Sequence, residues 1–134
     1  MVKRLSQILE NYESVDSVVS FIEFIFQLRG MANLSHYADK SLAKHLANEE
    51  LYTALLEKID EFIEVYQGQY GIIEFKMPES KREEDFKSYL KSSVEHIKKE
   101  SKNFIDTEDT HLLNIIDEIV ASMYRVLYKL ENFQ

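Results

Sequence analysis

The sequence has no cysteine, and among its 134 residues only three are glycine and one is proline. The absence of cysteine excludes disulfides, thiolate nucleophiles and cysteine zinc sites, and it fits a reducing compartment. Two of the glycines and the proline lie between residues 68 and 78. Most of the chain is therefore free of helix-breaking residues, and an all-α protein is predicted.

Long apolar runs are also missing, so neither a signal-peptide core nor a membrane span of about 20 residues can be drawn. Acidic residues outnumber basic ones by 24 to 16, which gives a net charge of −8. Such a surface repels nucleic-acid phosphates. We expect one soluble, cytoplasmic domain covering residues 1–134, with no membrane contact and no nucleic-acid groove.

Apolar residues recur at three- and four-residue steps along four segments, a pattern that predicts four helices. The third helix is expected to start at a capping box formed by Ser80 and Glu83. The predicted helices run from about 14 to 37, from an N-cap at Asp39 or Ser41 to Gly68, from Ser80 to about 104, and from Asp106 to about 130. The long connection after Gly68 suits a crossover, which predicts an antiparallel four-helix bundle of ferritin-like connectivity.

The first predicted helix is apolar on more than one side, because Phe21 and Phe24 add a second flank to its main stripe. Two explanations fit this pattern equally well. The helix contacts another subunit, or it is the central helix of a monomer.

Four polar residues of the second helix have a spacing that suits metal binding. His45 and Glu49 are one turn apart, and so are Asp60 and Glu64. His45 and Asp60 are separated by about 60° of rotation and roughly 22 Å of rise, so one chain cannot bring them to one ion. If two copies of this helix pack antiparallel across a two-fold axis, the two pairs meet and form two identical sites.

Imidazole nitrogen with carboxylate oxygen suits Fe(II), Mn(II) or Zn(II). The competing interpretation is structural, because acidic residues four apart usually form a solvated helix flank. A histidine near a helix start is commonly a surface residue. Spacing alone leaves both interpretations open.

The run H-x3-E-x10-D-x3-E, formed by His45, Glu49, Asp60 and Glu64, resembles the second-helix signature of Dps-type miniferritins. The stretches SHYADKSLAKHLANEELYTALLEKIDEFIEVYQGQYGII and LLNIIDEIVASMYRVLYKL are similar to small Dps-like proteins encoded by tailed bacteriophages. The resemblance implies a ferritin-like fold, iron as the bound metal, and a ferroxidase centre between subunits. It also implies residence in the cytoplasm of a bacterial host.

The sequence departs from the miniferritin pattern at one ligand. A gapless register puts Asn33 where that family has its first histidine, and His36 is the nearest candidate to replace it. The metal ligands expected from the resemblance are therefore His36, His45, Glu49, Asp60 and Glu64, in a two-fold dimer or a larger shell. Only Lys3 and Arg4 stand in place of a Lys-rich tail, which argues against direct DNA binding.

The alternative function is a non-enzymatic helical-bundle phage protein, acting in the virion or on the host, with a degenerate metal site.

Two further motifs have structural interpretations. Glu108 and His111 form a single Glu-x-x-His at the start of the fourth helix, where capping is expected. The segment 66–71 is either a glycine C-cap or a turn at a subunit contact. No catalytic or cofactor-binding residue is assigned.

Overall fold

The computed structural model describes the backbone of residues 15–134 and the side chains from residue 18 onward. Its helices are α1 Val15–Ala38, α2 Leu42–Tyr70, α3 Phe86–Phe104 and α4 Thr110–Asn132. No strand occurs in this part of the chain. The predicted all-helical bundle of four helices is confirmed, whereas Lys3, Arg4 and the predicted helix start near residue 14 lie outside the described residues.

Each helix packs against two others, and the contacts close a ring in the order α1, α2, α4, α3. The rings of Phe21 on α1 and Phe62 on α2 are 5.2 Å apart. Between α2 and α4, Lys58 Nζ lies 2.8 Å from a carboxylate oxygen of Glu118. No helix of residues 15–134 is long and apolar enough to cross a bilayer.

The core is formed by the apolar stripes that the sequence predicts. Its largest fully buried side chains are Ile22, Ile25, Leu28, Leu51, Leu55, Ile59, Phe62, Leu90, Ile97, Leu112 and Ile119. They recur at three- and four-residue steps on α1 and α2 and at a seven-residue step on α3 and α4, so one side of each of these helices faces the interior.

The second apolar flank of α1 is covered by other parts of the same chain. The ring of Phe24 lies 4.9 Å from that of His96 on α3. Phe26 stacks on Phe75 of the α2–α3 connection at 5.9 Å. The second apolar flank of α1 is thus covered by α3 and by the α2–α3 connection of the same chain.

The connection 71–85 runs along α1. The backbone N–H of Lys76 donates to Glu23 at 2.8 Å. The Ser80 hydroxyl donates to the backbone oxygen of Gln27 at 3.4 Å. Ile73 and Phe75 pack against the core, whereas Ile72 is 82% exposed. The segment therefore lies against the bundle, although one of its apolar residues faces solvent.

The predicted N-cap of α2 at Ser41 is confirmed, whereas the predicted end of the helix at Gly68 is displaced. Ser41 caps α2, since its hydroxyl accepts a hydrogen bond from the Lys44 N–H at 3.3 Å. The helix continues past Gly68 to Tyr70, and Gly71, with φ of 100°, is the C-cap. That finding supports the glycine C-cap interpretation of segment 66–71.

The capping box predicted at Ser80 and Glu83 is wrong. α3 begins at Phe86, and its N-cap is Asp85, whose carboxylate accepts a hydrogen bond from the Ser88 N–H at 3.2 Å. Ser80 does not cap this helix because the helix begins six residues further on, and the Ser80 hydroxyl instead donates to the backbone of α1. The start of α4 is also later than predicted, since the turn at Asp106 precedes a first helical residue at Thr110.

Candidate functional site

The turn between α1 and α2 positions the two candidate histidines. His36 lies in the last turn of α1, and His45 lies in the first turn of α2. Only residues 39–41 separate the helices, and the Ser41 N–H donates to Asp39 Oδ1 at 3.2 Å within this turn. So short a turn brings side chains nine positions apart in the sequence into direct contact.

His36 and His45 form a reciprocal pair. The Nδ1 of His36 lies 2.7 Å from the backbone oxygen of His45. The Nδ1 of His45 lies 2.7 Å from the backbone oxygen of His36. The rings stack with their centroids 3.7 Å apart and their planes 23° apart. Because a carbonyl oxygen only accepts hydrogen bonds, each Nδ1 carries a proton, and Nε2 is the nitrogen left to bind a ligand.

This pair also has a structural effect. The backbone oxygen of His36 belongs to the last turn of α1, where carbonyls lack partners within the helix. The His45 side chain satisfies it. His36 itself is only 7% exposed, and its ring meets the edge of Tyr52 at 5.4 Å. The two histidines therefore lock the α1–α2 turn whether or not a metal binds.

The three candidate carboxylates lie on α2, with Glu49 one turn after His45 and with Asp60 and Glu64 four to five turns after it. Glu49, Asp60 and Glu64 are all exposed. Within residues 15–134 of one chain, no group of three or more His, Asp or Glu side chains could hold a metal ion. One chain thus brings together His36 and His45 but not the full predicted ligand set.

Asp60 and Glu64 share an exposed side of α2 with two leucines. Leu42 is 70% exposed and Leu46 is 52% exposed. Leu42 and Asp60 are separated by 18 residues, as are Leu46 and Glu64, and this spacing equals five helical turns. We call this surface the α2 exposed face, and its residues are Leu42, Leu46, Glu49, Thr53, Asp60 and Glu64.

Asn33, at the position of the miniferritin histidine, lies one turn before His36 on α1. Its Oδ1 is buried and has no hydrogen-bond partner within the described chain. The stacked partner of His45 is His36. The position that the sequence favoured for the first nitrogen ligand is therefore the one that contacts His45.

A second polar cluster, at the opposite end of α2, was not found by sequence reasoning. Asp109 accepts hydrogen bonds from the Tyr70 hydroxyl and, at 2.9 Å, from Gln69 Nε2. His111 Nε2 lies 2.7 Å from Gln69 Oε1. His111 therefore binds α2 and does not cap α4, and Glu108 is exposed. These contacts join residues about 40 positions apart, for which the sequence has no local signal.

The cluster changes the acidity of two of its members. The hydrogen bond to Asp109, followed by burial and by the Asp109 charge, raises the pKa of Tyr70 to about 12. Conversely, hydrogen bonds from Tyr70 and then Gln69 hold the pKa of Asp109 below its usual value. The carboxylate is therefore kept charged and the phenol neutral, which maintains the hydrogen bonds between α2 and the start of α4. We call this group of contacts the Asp109 clasp.

The fold and these clusters define a small helical-bundle domain with a histidine pair at one end. Residues 36–130 match the family of unknown function DUF5856, and this match covers more than half of the chain, so the chain belongs to that family. The matched region starts at His36 and includes all five candidate ligands. No curated protein and no solved structure matches the chain.

Proposed function

We propose that this protein is a Dps-like, ferritin-fold protein that binds iron between two copies of the chain and oxidises and sequesters Fe(II). The observation that carries the proposal is the His36–His45 pair, which leaves two Nε2 atoms as potential ligands. The antiparallel, ferritin-like arrangement is supported by helix contacts that join early residues of one helix to late residues of its neighbour, such as Lys91 with Glu131.

The donor set fits iron. Imidazole nitrogen and carboxylate oxygen without thiolate are suited to Fe(II), with Zn(II) and Mn(II) as substitutes in vitro. The backbone carbonyl that accepts each Nδ1–H fixes the tautomer and orients the ring, as the hydrogen-bond partners of metal-binding histidines commonly do. In this proposal His36 and His45 supply nitrogen, and the partner chain supplies oxygen from its Asp60 and Glu64.

The α2 exposed face is the surface that would meet the second copy. A two-fold axis perpendicular to α2 would place the His45 end of this face in one chain against the Asp60 end of the other. Thr53, a small exposed residue, is about midway between His45 and Asp60, so an axis near Thr53 brings those two together. Glu49 would then either bind the metal itself as a bridging carboxylate or accept a hydrogen bond from one of the metal-binding side chains.

Fe(II) is the substrate in this proposal, and hydrogen peroxide or dioxygen is the oxidant. With peroxide, each of two Fe(II) ions gives up one electron, and the O–O bond breaks as peroxide takes up the two electrons and two protons to form two waters. The role of the chain is to hold Fe(II) through nitrogen and oxygen ligands. Its acidic surface attracts cations, which favours delivery of the metal.

Subunit complementation tests the proposal. His45→Ala and Asp60→Ala should each abolish Fe(II) or Zn(II) binding in anaerobic calorimetry, while helicity stays unchanged. Asp117→Ala, an exposed carboxylate change on α4, is the matched control and should bind normally.

When the two inactive variants are unfolded together and refolded, half of the dimers are mixed, and each mixed dimer has one intact site of two. About one quarter of the wild-type capacity should return.

Recovery of binding in the mixture cannot arise from a site within one chain. If His45→Ala binds metal as the wild type does, or if mixing the two variants restores no binding, the two-fold iron site is wrong. Peroxide-dependent formation of Fe(III), followed by its ultraviolet absorbance, separates an oxidase from a protein that only binds the metal.

The second candidate is a non-enzymatic helical-bundle phage protein of the virion or of host interaction. The observation that favours it is that His36 and His45 already satisfy each other's backbone and so stabilise the turn without metal. Under this alternative, His36→Gln lowers the melting temperature, and metal ions do not raise it.

A further inference from the structure

A cleft of about 350 Å³ lies where the end of the α2–α3 connection meets the α1–α2 turn. Ser35 at the end of α1, Lys44 and Asn48 on α2, and Arg82 and Lys87 from the connection and α3 contribute to its wall. None of the five candidate metal ligands lines it. The cleft is thus separate from the site proposed above.

Two buried polar side chains of the cleft wall lack hydrogen-bond partners. Asn48 is 2% exposed and Ser35 is 8% exposed. Asn48 Oδ1 and Ser35 Oγ are both buried, and neither is bonded to any group in residues 15–134. Unpaired buried polar atoms are rare because each loses its bonds to water without replacement. A ligand with oxygen atoms would accept from the Ser35 hydroxyl and, after rotation of the amide, from Asn48 Nδ2.

The cations of the cleft wall are available to such a ligand. Lys40, Lys44, Arg82 and Lys87 form no ion pair with any carboxylate in the described chain. Four unpaired cations at one site are notable in a chain of net charge −8. Cations without a carboxylate partner are free to form charged hydrogen bonds with an anion.

The carboxylates of the cleft wall are mostly engaged with the backbone. Asp39 accepts from the Ser41 N–H, Glu83 accepts from the Asp85 N–H, and Asp85 accepts from the Ser88 N–H. Together with Glu84 they balance the four cations. A neutral cleft does not attract a polyanion such as nucleic acid from a distance, and an anion bound here would be held by direct contact with the cations.

The N-terminus of α3 also lines the cleft. Asp85, Phe86 and Lys87 line the cleft, and they form the N-cap and first two residues of a 19-residue helix. The Ser88 N–H is bonded to the Asp85 carboxylate, whereas the N–H groups of Phe86 and Lys87 lack partners within the helix, and the helix dipole favours negative charge there. Phosphate groups commonly bind at such a position.

We propose that this cleft binds a small anion of the phosphate class, either inorganic phosphate or a phosphomonoester. Arg82 and Lys44 contact its oxygens, the start of α3 supplies backbone N–H groups, and Ser35 and Asn48 hold it from the interior side. The site is independent of metal binding, because it uses none of the candidate metal ligands.

Calorimetric titration of the full chain with inorganic phosphate, and separately with glycerol 3-phosphate, tests this site. Arg82→Gln and Lys44→Gln should each weaken binding about tenfold or more, since each removes a charged hydrogen-bond donor. Lys99→Gln, which removes an exposed lysine of α3 outside the cleft, is the matched control and should leave binding unchanged. Asn48→Asp, nearly identical in shape, should abolish binding by placing a carboxylate against the anion.

Tighter binding of glycerol 3-phosphate identifies a phosphomonoester as the ligand, and tighter binding of inorganic phosphate identifies the free ion. The proposal is overturned if neither compound gives saturable binding. It is equally overturned if Lys99→Gln weakens binding as much as Arg82→Gln does, because the effect would then reflect overall charge. Far-ultraviolet circular dichroism establishes that each variant is folded.

Discussion

Gly30 is the point at which the α2–α3 connection touches α1 most closely. A Cβ at this position would lie 1.9 Å from Ser80 Oγ and 2.6 Å from Ser80 Cβ. Ordinary contacts of a Cβ begin at 3.4 Å. Rotation of the serine side chain can move its oxygen, but its Cβ is fixed to the backbone. In Gly30→Ala the connection must therefore withdraw by about 0.8 Å, which is 3.4 minus 2.6.

Two opposing effects set the stability of this variant. Alanine favours the helix over glycine by about 1 kcal/mol. Displacement of a packed segment costs about 1–3 kcal/mol. It also stretches the bonds of Gln27 with Ser80 and Glu79, which are already 3.4 Å long. Gly68→Ala isolates the first effect, because a Cβ at Gly68, inside α2, would meet nothing within 4 Å.

Urea unfolding followed by circular dichroism measures the difference. We expect Gly68→Ala to gain about 1 kcal/mol and Gly30→Ala to be less stable than Gly68→Ala by about 1–3 kcal/mol. Adding Ser80→Gly, which removes both clashing atoms, should recover most of that loss as a coupling energy. Equal stability of the two alanine variants, with no coupling to Ser80, would refute this account of Gly30.

Three further predictions concern the clasp, the proposed contact and the core. An ultraviolet titration should show Tyr70 ionising near pH 12, so the stability from its bond to Asp109 is present below pH ~10 and lost as the pH rises to 12. Asp109→Asn should return the Tyr70 pKa toward about 10, and an unchanged titration would contradict the assignment. Leu46→Asp should keep the helix content but reduce the mass measured by light scattering to that of a monomer; an unchanged oligomer places the contact elsewhere. Leu55→Ala should lose about 2–5 kcal/mol of unfolding free energy, and a loss well below 1 kcal/mol would contradict the burial of Leu55.

Helix existence was predictable because it depends on local patterns. On α4, for example, Leu112, Ile119 and their buried neighbours recur at helical spacing, and this spacing can be read from the sequence alone. Boundaries were less predictable. Ser80 has the sequence of a helix cap, yet its hydroxyl is bonded to α1, a contact between residues more than 50 positions apart. No local rule reports such a contact.

The candidate site likewise has some features that the sequence predicts and others that only the structure shows. The spacing of His45, Glu49, Asp60 and Glu64 along one helix follows from the sequence, since helical geometry fixes rise and rotation. The reciprocal bonding of His36 with His45 depends on how tightly the chain turns at residues 39–41. The miniferritin resemblance placed both histidines among the expected ligands, but it did not indicate which nitrogen of each ring would be engaged.

The sequence by itself determined that residues 15–134 form four helices, which surfaces of those helices are apolar, and which polar residues share a helix side. The periodic spacing of apolar residues is a property of each helix by itself, and it does not depend on how the helices are arranged. Only the tertiary structure decided that Gly30 leaves room for the α2–α3 connection, that Asp109 accepts a hydrogen bond from Tyr70, and that Ser35 and Asn48 line one cleft with Arg82 and Lys44. Each of these depends on distances between residues far apart in the chain, and packing alone sets such distances.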